Sequence, residues 1–338
     1  MKVLSNYSKF CCIALSLFML LLANGIQAQK RGYELSKKQN EHYNISSSDK
    51  LIINNRFGQV KVNTWAKNEL TVDIIITAWG RNEELAQTLL NKISIDHKRR
   101  EGEISFKTNI SKNSNNNRAG FEINYEVNMP ENCPLDLDNR FGAIYLANHS
   151  GQLDLVSAYG SLTAKRLMGD DVAIKVSYGK ASIEEINSGS IKSSYCSFVE
   201  LGKAGKLIID DRNGKLEIDE AEELDVESAY SHFKLGKLTK MLELESKFGG
   251  VEIGNVANSF NKIDIEVSYG SLSVELDDAL DFTFDVEVSF GSFHADMPNI
   301  EVRKQAEGYT SAQYEGYRGK GGRSSVTIES SYGSVRFN

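Results

Sequence analysis

The chain has 338 residues, a formal net charge of −7 from 39 Lys and Arg against 46 Asp and Glu, and 27 glycines against three prolines. That acidic balance argues against a nucleic-acid partner, whose binding rests on neutralised phosphates, and against general attraction to anionic lipid. Of the four cysteines only Cys133 and Cys196 lie beyond residue 12, so this is no small disulfide scaffold, and stability must come from a packed core.

Residues 1–28 read as a signal peptide. Lys2 and Lys9 give a basic start, Cys11 to Ala23 is almost wholly apolar, and Ala28 is a small residue suited to cleavage. The apolar run is short for a membrane span, which needs about 20 residues. No later segment is apolar enough to cross a bilayer, so no transmembrane segment is expected after cleavage. Export follows as the expectation, to the periplasm, the outer-membrane surface or the extracellular space. Residues 29–44 read as a flexible leader. Residues 45–130 carry strand-like runs such as "DKLIINNRFGQVKVNT" and "ELTVDIIITAW", one short amphipathic helix over 82–92, and an Asn-rich mobile hairpin loop at 111–118. This β-rich stretch is placed to act as a cap, because a stack of strands exposes core and an open sheet edge at its end.

From residue 131 to 338 the chain repeats itself. "SAYGSLTA", "VSYGKASI", "SKFGGVEI", "VSYGSLSV" and "SSYGSVRF" share one slot, filled by Phe141, Tyr159, Tyr178, Tyr195, Asn213, Tyr230, Phe248, Tyr269, Phe290 and Tyr332. Successive slots are 17–21 residues apart, except for a last gap of 42. An eleventh copy, at Phe57, stands apart. Before each slot two apolar residues alternate, as Leu153 and Leu155 do. After it Gly breaks the phase and a second alternating pair begins, such as Val251 and Ile253. Alternate side chains of a strand face opposite sides, so one extra residue flips all that follow. A chain that bends while keeping its apolar residues inward needs that slip at the bend, and Gly tolerates the positive φ of such a corner. The preceding aromatic can stack on its equivalents in neighbouring copies.

The expected fold is therefore all-β: a parallel β-solenoid of about ten coils of 17–21 residues behind the β-rich cap with its one helix. At about 4.8 Å per rung it would be a rod on the order of 50 Å. An antiparallel sandwich of hairpins is the alternative; near-constant gaps and copies of one kind argue against it. A loop insertion near 297–323 separates the last two copies. It reads as a flexible excursion, or as a contact surface with Tyr309, Tyr314 and Tyr317 as anchors.

Signs of chemistry are sparse. His42, His97, His149, His232 and His294 lack ligand spacing and read as solvated imidazoles. Cys133 and Cys196 lie about three rungs, roughly 14 Å, apart, too far for a disulfide. No nucleophile elbow or dinucleotide fingerprint is present, so no catalytic or cofactor-binding residue is assigned. One constellation emerges on aligning the copies. Outward positions five and three before the slot hold Asp225 and Glu227, Glu243 and Glu245, Asp264 and Glu266, and Asp285 and Glu287. These two columns read as a solvated face, or as a weak Ca²⁺ stripe. Acids of a sugar-cleaving enzyme are a third reading.

The passages "LIINNRFGQVKVNTW" and "INYEVNMPENCPLDLDNRFGAIYL" and the "SYGSL"-type strands resemble the bacterial β-strand-repeat proteins provisionally grouped as adhesins, a domain of unknown function. They are similar as well to head-GIN-like domains of envelope proteins. The resemblance spans nearly all of the chain beyond the leader. It implies an exported bacterial β-solenoid and brings no catalytic residues. The chain departs from the pattern at Tyr195-Cys196, Asn213-Gly214 and Tyr230-Ser231, where stacking is expected to lose regularity. The functional expectation is a non-catalytic envelope or cell-surface scaffold, an adhesin-like binding protein whose partner is an envelope or surface protein or a polysaccharide. A polysaccharide-active β-helix enzyme and a periplasmic accessory of envelope-stress signalling are the alternatives.

Overall fold

A computed structural model describes residues 32–111, 119–277 and 279–338. The expected signal peptide and most of the Asn-rich loop lie outside the described residues. Among the described residues the structure is all-β with one helix. Before the repeats come β1 (Tyr33–Asn44), β2 (Lys50–Arg56), β3 (Val60–Trp65), β4 (Glu69–Gly80), α1 (Glu83–Asn91), β5 (Ile93–Arg100), β6 (Glu103–Ile110) and β7 (Gly120–Pro130). Asn82 caps α1, its side chain accepting from the Leu85 N–H at 3.1 Å, with Glu83 and Glu84 in the first turn where the helix dipole favours acids. Ala86, Leu89 and Leu90 are buried as the helix packs on β4. The 29–44 leader needs correcting from Tyr33 onward. There β1 pairs antiparallel with β4 along its whole length, Tyr33 opposite Gly80 and Asn44 opposite Glu69. Leu35 and Tyr43 pack on the core and hold it there.

The repeats supply β8 (Leu135–Arg140), β9 (Ile144–Leu146), β10 (Leu153–Ala158), β11 (Ser161–Leu167), β12 (Val172–Ser177), β13 (Lys180–Ser194), β14 (Phe198–Arg212), β15 (Lys215–Ala229), β16 (His232–Lys247), β17 (Val251–Val256), β18 (Lys262–Ser268) and β19 (Leu272–Leu276). Then follow β20 (Phe282–Ser289), β21 (Ser292–Ala295), β22 (Ile300–Glu307), β23 (Ser311–Arg318), β24 (Ser324–Ser331) and β25 (Ser334–Phe337). Each aromatic corner joins a strand of one parallel ladder to a strand of a second. Like positions pair with like: Leu155 faces Leu137 on one side and Ile174 on the other. Strands β13 to β16 each run unbroken through the far bend, ending one layer and beginning the next. The inward residues form one buried cluster from Ile45 to Phe337. Burying each such Leu, Ile or Val contributes about 1.5–3 kcal/mol, and a one-residue slip would turn the whole set outward.

The order of layers departs from chain order at both ends. The Phe57 copy does not stand apart: β2 pairs with β8 and β3 with β9, so it is the layer next to Phe141. At the other end the last copy in sequence is not last in space. β24 lies between β18 and β20, and β25 between β19 and β21. The 297–323 insertion is likewise no unstructured loop. β22 and β23 form an antiparallel hairpin, and β23 pairs antiparallel with β20, closing the first ladder.

The corner itself differs from expectation. The aromatic, rather than the Gly after it, takes positive φ, between 53° and 61° from Phe57 to Tyr332. Such a conformation costs a bulky residue about 1–3 kcal/mol and persists only where its surroundings impose it. Here the slot N–H reaches a carbonyl of the adjoining layer, as Phe141 reaches Ala158 at 2.9 Å, except at Phe290, whose N–H reaches Thr310 of the hairpin. The Gly is required for contact instead: a Cβ on Gly160 would lie 1.9 Å from the Gly142 carbonyl oxygen.

Candidate functional site

The corners bring ten rings into one exposed file. Phe57, Phe141, Tyr159, Tyr178 and Tyr195 stack with centroids 4.8–5.1 Å apart and planes within 10°. Tyr230, Phe248, Tyr269, Tyr332 and Phe290 form a second run at 4.7–4.9 Å and within 6°. All ten are between 39% and 61% exposed, so their edges and hydroxyls face solvent while their faces cover one another. Phe121 closes the Phe57 end edge-on at 5.5 Å. Beyond Phe290, the hairpin tip carries the fully exposed Tyr309 over an open cavity shared with Ser311, Tyr332 and Ser334. The two runs of five are separated by Asn213, which is exposed and occupies the slot with φ 60°. Stacking thus fails only at Asn213. Tyr195 and Tyr230 keep their outer partners although Cys196 and Ser231 replace the usual Gly.

Inside the corners runs a buried polar column. Asn139 Nδ2 donates to the carbonyl oxygens of Gly58 and Ala143, at 3.0 and 3.2 Å. The same position is Ser157, Ser193, Asp211, Ser228, Ser246 and Ser330 in other layers, all buried. Ser193 Oγ donates to Asp211 Oδ1. Asp211 Oδ2 and the Oγ atoms of Ser157, Ser228, Ser246 and Ser330 have no hydrogen-bond partner among the described residues.

The acidic stripe lies on the outward face of the first ladder, but its order changes. Asp225 adjoins Glu243 and Glu243 adjoins Asp264, after which Thr327 intervenes before Asp285. The other column runs Asp210, Glu227, Glu245, Glu266, Glu329 and Glu287 without interruption, so Glu329 belongs to it. Part of the charge is paired. Lys262 Nζ sits 2.9 Å from both Asp264 and Glu243, and these two carboxylates raise its pKa. Lys247 pairs with Glu245, and Gln313 Nε2 donates to Asp285 at 3.1 Å. Along a flat ladder these carboxylates line up rather than converge. Among the described residues no group of three or more His, Cys, Asp or Glu side chains is arranged to hold a metal ion.

Cys133 and Cys196 are free and buried. Cys133 donates to the Ser46 carbonyl at 3.2 Å, and burial, helped by Asp49, pushes its pKa up to about 11. His149 corrects the reading of solvated imidazoles: it is buried, its Nε2 is 3.3 Å from the Gln152 carbonyl oxygen, and burial lowers its pKa.

The family model described as Toastrack DUF4097 matches residues 48–336. The chain belongs to the Toastrack family. Comparison with curated proteins finds no match. Among solved structures, the Toastrack chain is similar to a provisionally named cell adhesion protein from Clostridium sporogenes. Identity there is 13%, coverage 90% of this chain and 99% of that one, and the TM-score 0.18. It is also similar to a provisional adhesin from Parabacteroides distasonis, at 10% identity, 91% and 98% coverage and a TM-score of 0.32. A provisional lipid binding protein from the same organism matches at 10% identity, 89% and 97% coverage and a TM-score of 0.33. In the Toastrack chain, reading the sequence in order missed Glu329 and the places of Phe57 and Tyr332 in the ring file. The "NNRFGQVKV" and "SSYGSVRF" grammar marks both copies as layers, but neither copy announces its neighbour.

Proposed function

We propose that this Toastrack chain is a non-catalytic, exported scaffold or binding module of the bacterial envelope or cell surface. In this reading the parallel ladders are a β-solenoid with one coil per aromatic corner, the rest of residues 45–130 with β1 cap the Phe57 end, and residues 1–28 direct export. The observation that carries it is the exposed ring file running along a single continuous core. Rings locked by their neighbours lose little further freedom on contact, so their edges and hydroxyls make a preordered binding surface. The partner class is an envelope or surface protein or a polysaccharide, met along the ring file and the acidic face.

Cell fractionation combined with protease shaving of intact cells tests this. The expected result is a protein absent from the cytoplasmic fraction and, if it acts in adhesion, cleaved by external protease. A cytoplasmic protein would overturn the reading.

A further inference from the structure

The layer centred on Asn213 is where the ring file is open. Its backbone matches the ring-bearing layers: φ is 60°, and β14 and β15 stay in register through it. Tyr195 stacks on Tyr178 to one side and Tyr230 on Phe248 to the other, at 5.1 and 4.9 Å. The remaining faces of Tyr195 and Tyr230 look toward each other across the Asn213 layer. Two rungs of about 4.8 Å separate them by about 9.6 Å. Every interior ring-bearing layer holds one ring in the equivalent space, so this space has the dimensions of one ring. Asn213, shorter than a ring-bearing side chain, stands exposed in this layer.

Two cations flank this slot, each paired with a carboxylate on its own strand. Arg212 stands directly before the slot and Lys215 two residues after it. Among the described layers only this one has a cation at both positions. Arg212 Nε is 2.8 Å from Asp210 and Lys215 Nζ is 2.5 Å from Glu217, both pairs being part-exposed. Exposed pairs of this kind contribute little and exchange readily for another anion. Lys215 Nζ also lies 5.6 Å over the Phe198 ring, which holds it beside the slot.

We propose that the Asn213 layer is a binding slot for a small planar aromatic acid. The ligand ring completes the stack between Tyr195 and Tyr230. Its anionic group meets Arg212 and Lys215, and the Asn213 carboxamide offers a donor and an acceptor to the ring edge. The slot follows from ring spacing and charge, and it stands whether or not the protein lies in the envelope.

The test is a fluorescence titration of the purified protein with 2-naphthoate. Saturable binding is expected. Asn213→Tyr supplies a ring of its own and weakens binding at least about tenfold. Asn213→Gly keeps both the slot and the positive φ, and retains binding. The Arg212→Gln/Lys215→Gln double variant and the neutral probe 2-naphthol each bind several-fold more weakly. Should Asn213→Tyr not fold, as judged by circular dichroism, Tyr195→Ala removes one wall and must also weaken binding about tenfold. The proposal fails if 2-naphthoate does not saturate, if a folded Asn213→Tyr binds as the wild type does, or if 2-naphthol binds as tightly as 2-naphthoate.

Discussion

The layers centred on Tyr159 and Asn213 share a backbone and differ in contents. Both slot residues have positive φ, 55° and 60°, and both donate to the adjoining layer at 3.0 Å, Tyr159 to Ser177 and Asn213 to Ala229. Both are followed by a Gly pressed on the layer before. Inside, one layer has Ser157 and the other Asp211. Outside, one has a stacked ring and the other an amide. The corner is thus imposed by ladder register and by close contact between layers, and the ring is an addition to it. Asn adopts this conformation more readily than most L-residues. Tyr adopts it at a cost that two stacked faces offset.

Five substitutions sharpen that contrast. The largest effect is expected from Gly160→Val, whose Cβ would meet the Gly142 carbonyl at 1.9 Å. Urea unfolding should show a loss of about 3 kcal/mol. Gly214→Val should cost less, because its Cβ would lie 2.3 Å from the Cys196 carbonyl. Next comes Asp211→Ser, which gives the irregular layer the side chain of its neighbours. Removing a buried carboxylate oxygen without a partner should stabilise the protein by about 1–3 kcal/mol. A loss of stability would show instead that Asp211 is held by more than Ser193. Tyr178→Ala should then cost about 1–2 kcal/mol, since it strips two stacked faces. Asn213→Ala should cost less than Tyr178→Ala, because no ring contact is lost. Equal costs would mean that backbone conformation rather than stacking sets the energy of a corner.

The smallest effect concerns pH, away from the ring file. His149 has a lowered pKa in the folded state, so the unfolded chain binds the proton more tightly. Stability from this residue is full above about pH 6.5 and falls as pH drops below it toward the folded pKa. Thermal melts between pH 5 and 8 should show this slope, and His149→Gln should flatten it.

Much of this architecture is legible in particular residues. The alternation of Leu153 and Leu155, broken at Tyr159-Gly160, announces two inward-facing strands around a bend. The 82–92 helix is announced by Asn82 and its apolar face. Other features were hidden. Positive φ falls on the aromatic, whose N–H reaches the adjoining layer, and the Gly is pressed on a carbonyl 18 positions away, relations no single repeat shows. His149 is buried although its flanking residues do not announce it, and its backbone bridges to Leu167 of the neighbouring layer. The acidic column gains Glu329 from a segment 42 residues beyond the Glu287 layer.

Amino-acid order alone dictates strands, corners and which side chains turn inward, since alternation with one slip per repeat admits a single inward set. It is silent on which copy lies beside which. A parallel ladder accepts any strand of matching pattern at its edge, so the insertion of β24 and β25 between earlier strands, and the joining of Phe57 to Phe141 across more than 80 residues, were settled only when the chain closed on itself. The open layer at Asn213 combines the two: one residue type written in the sequence, and two ring faces that only the neighbouring layers supply.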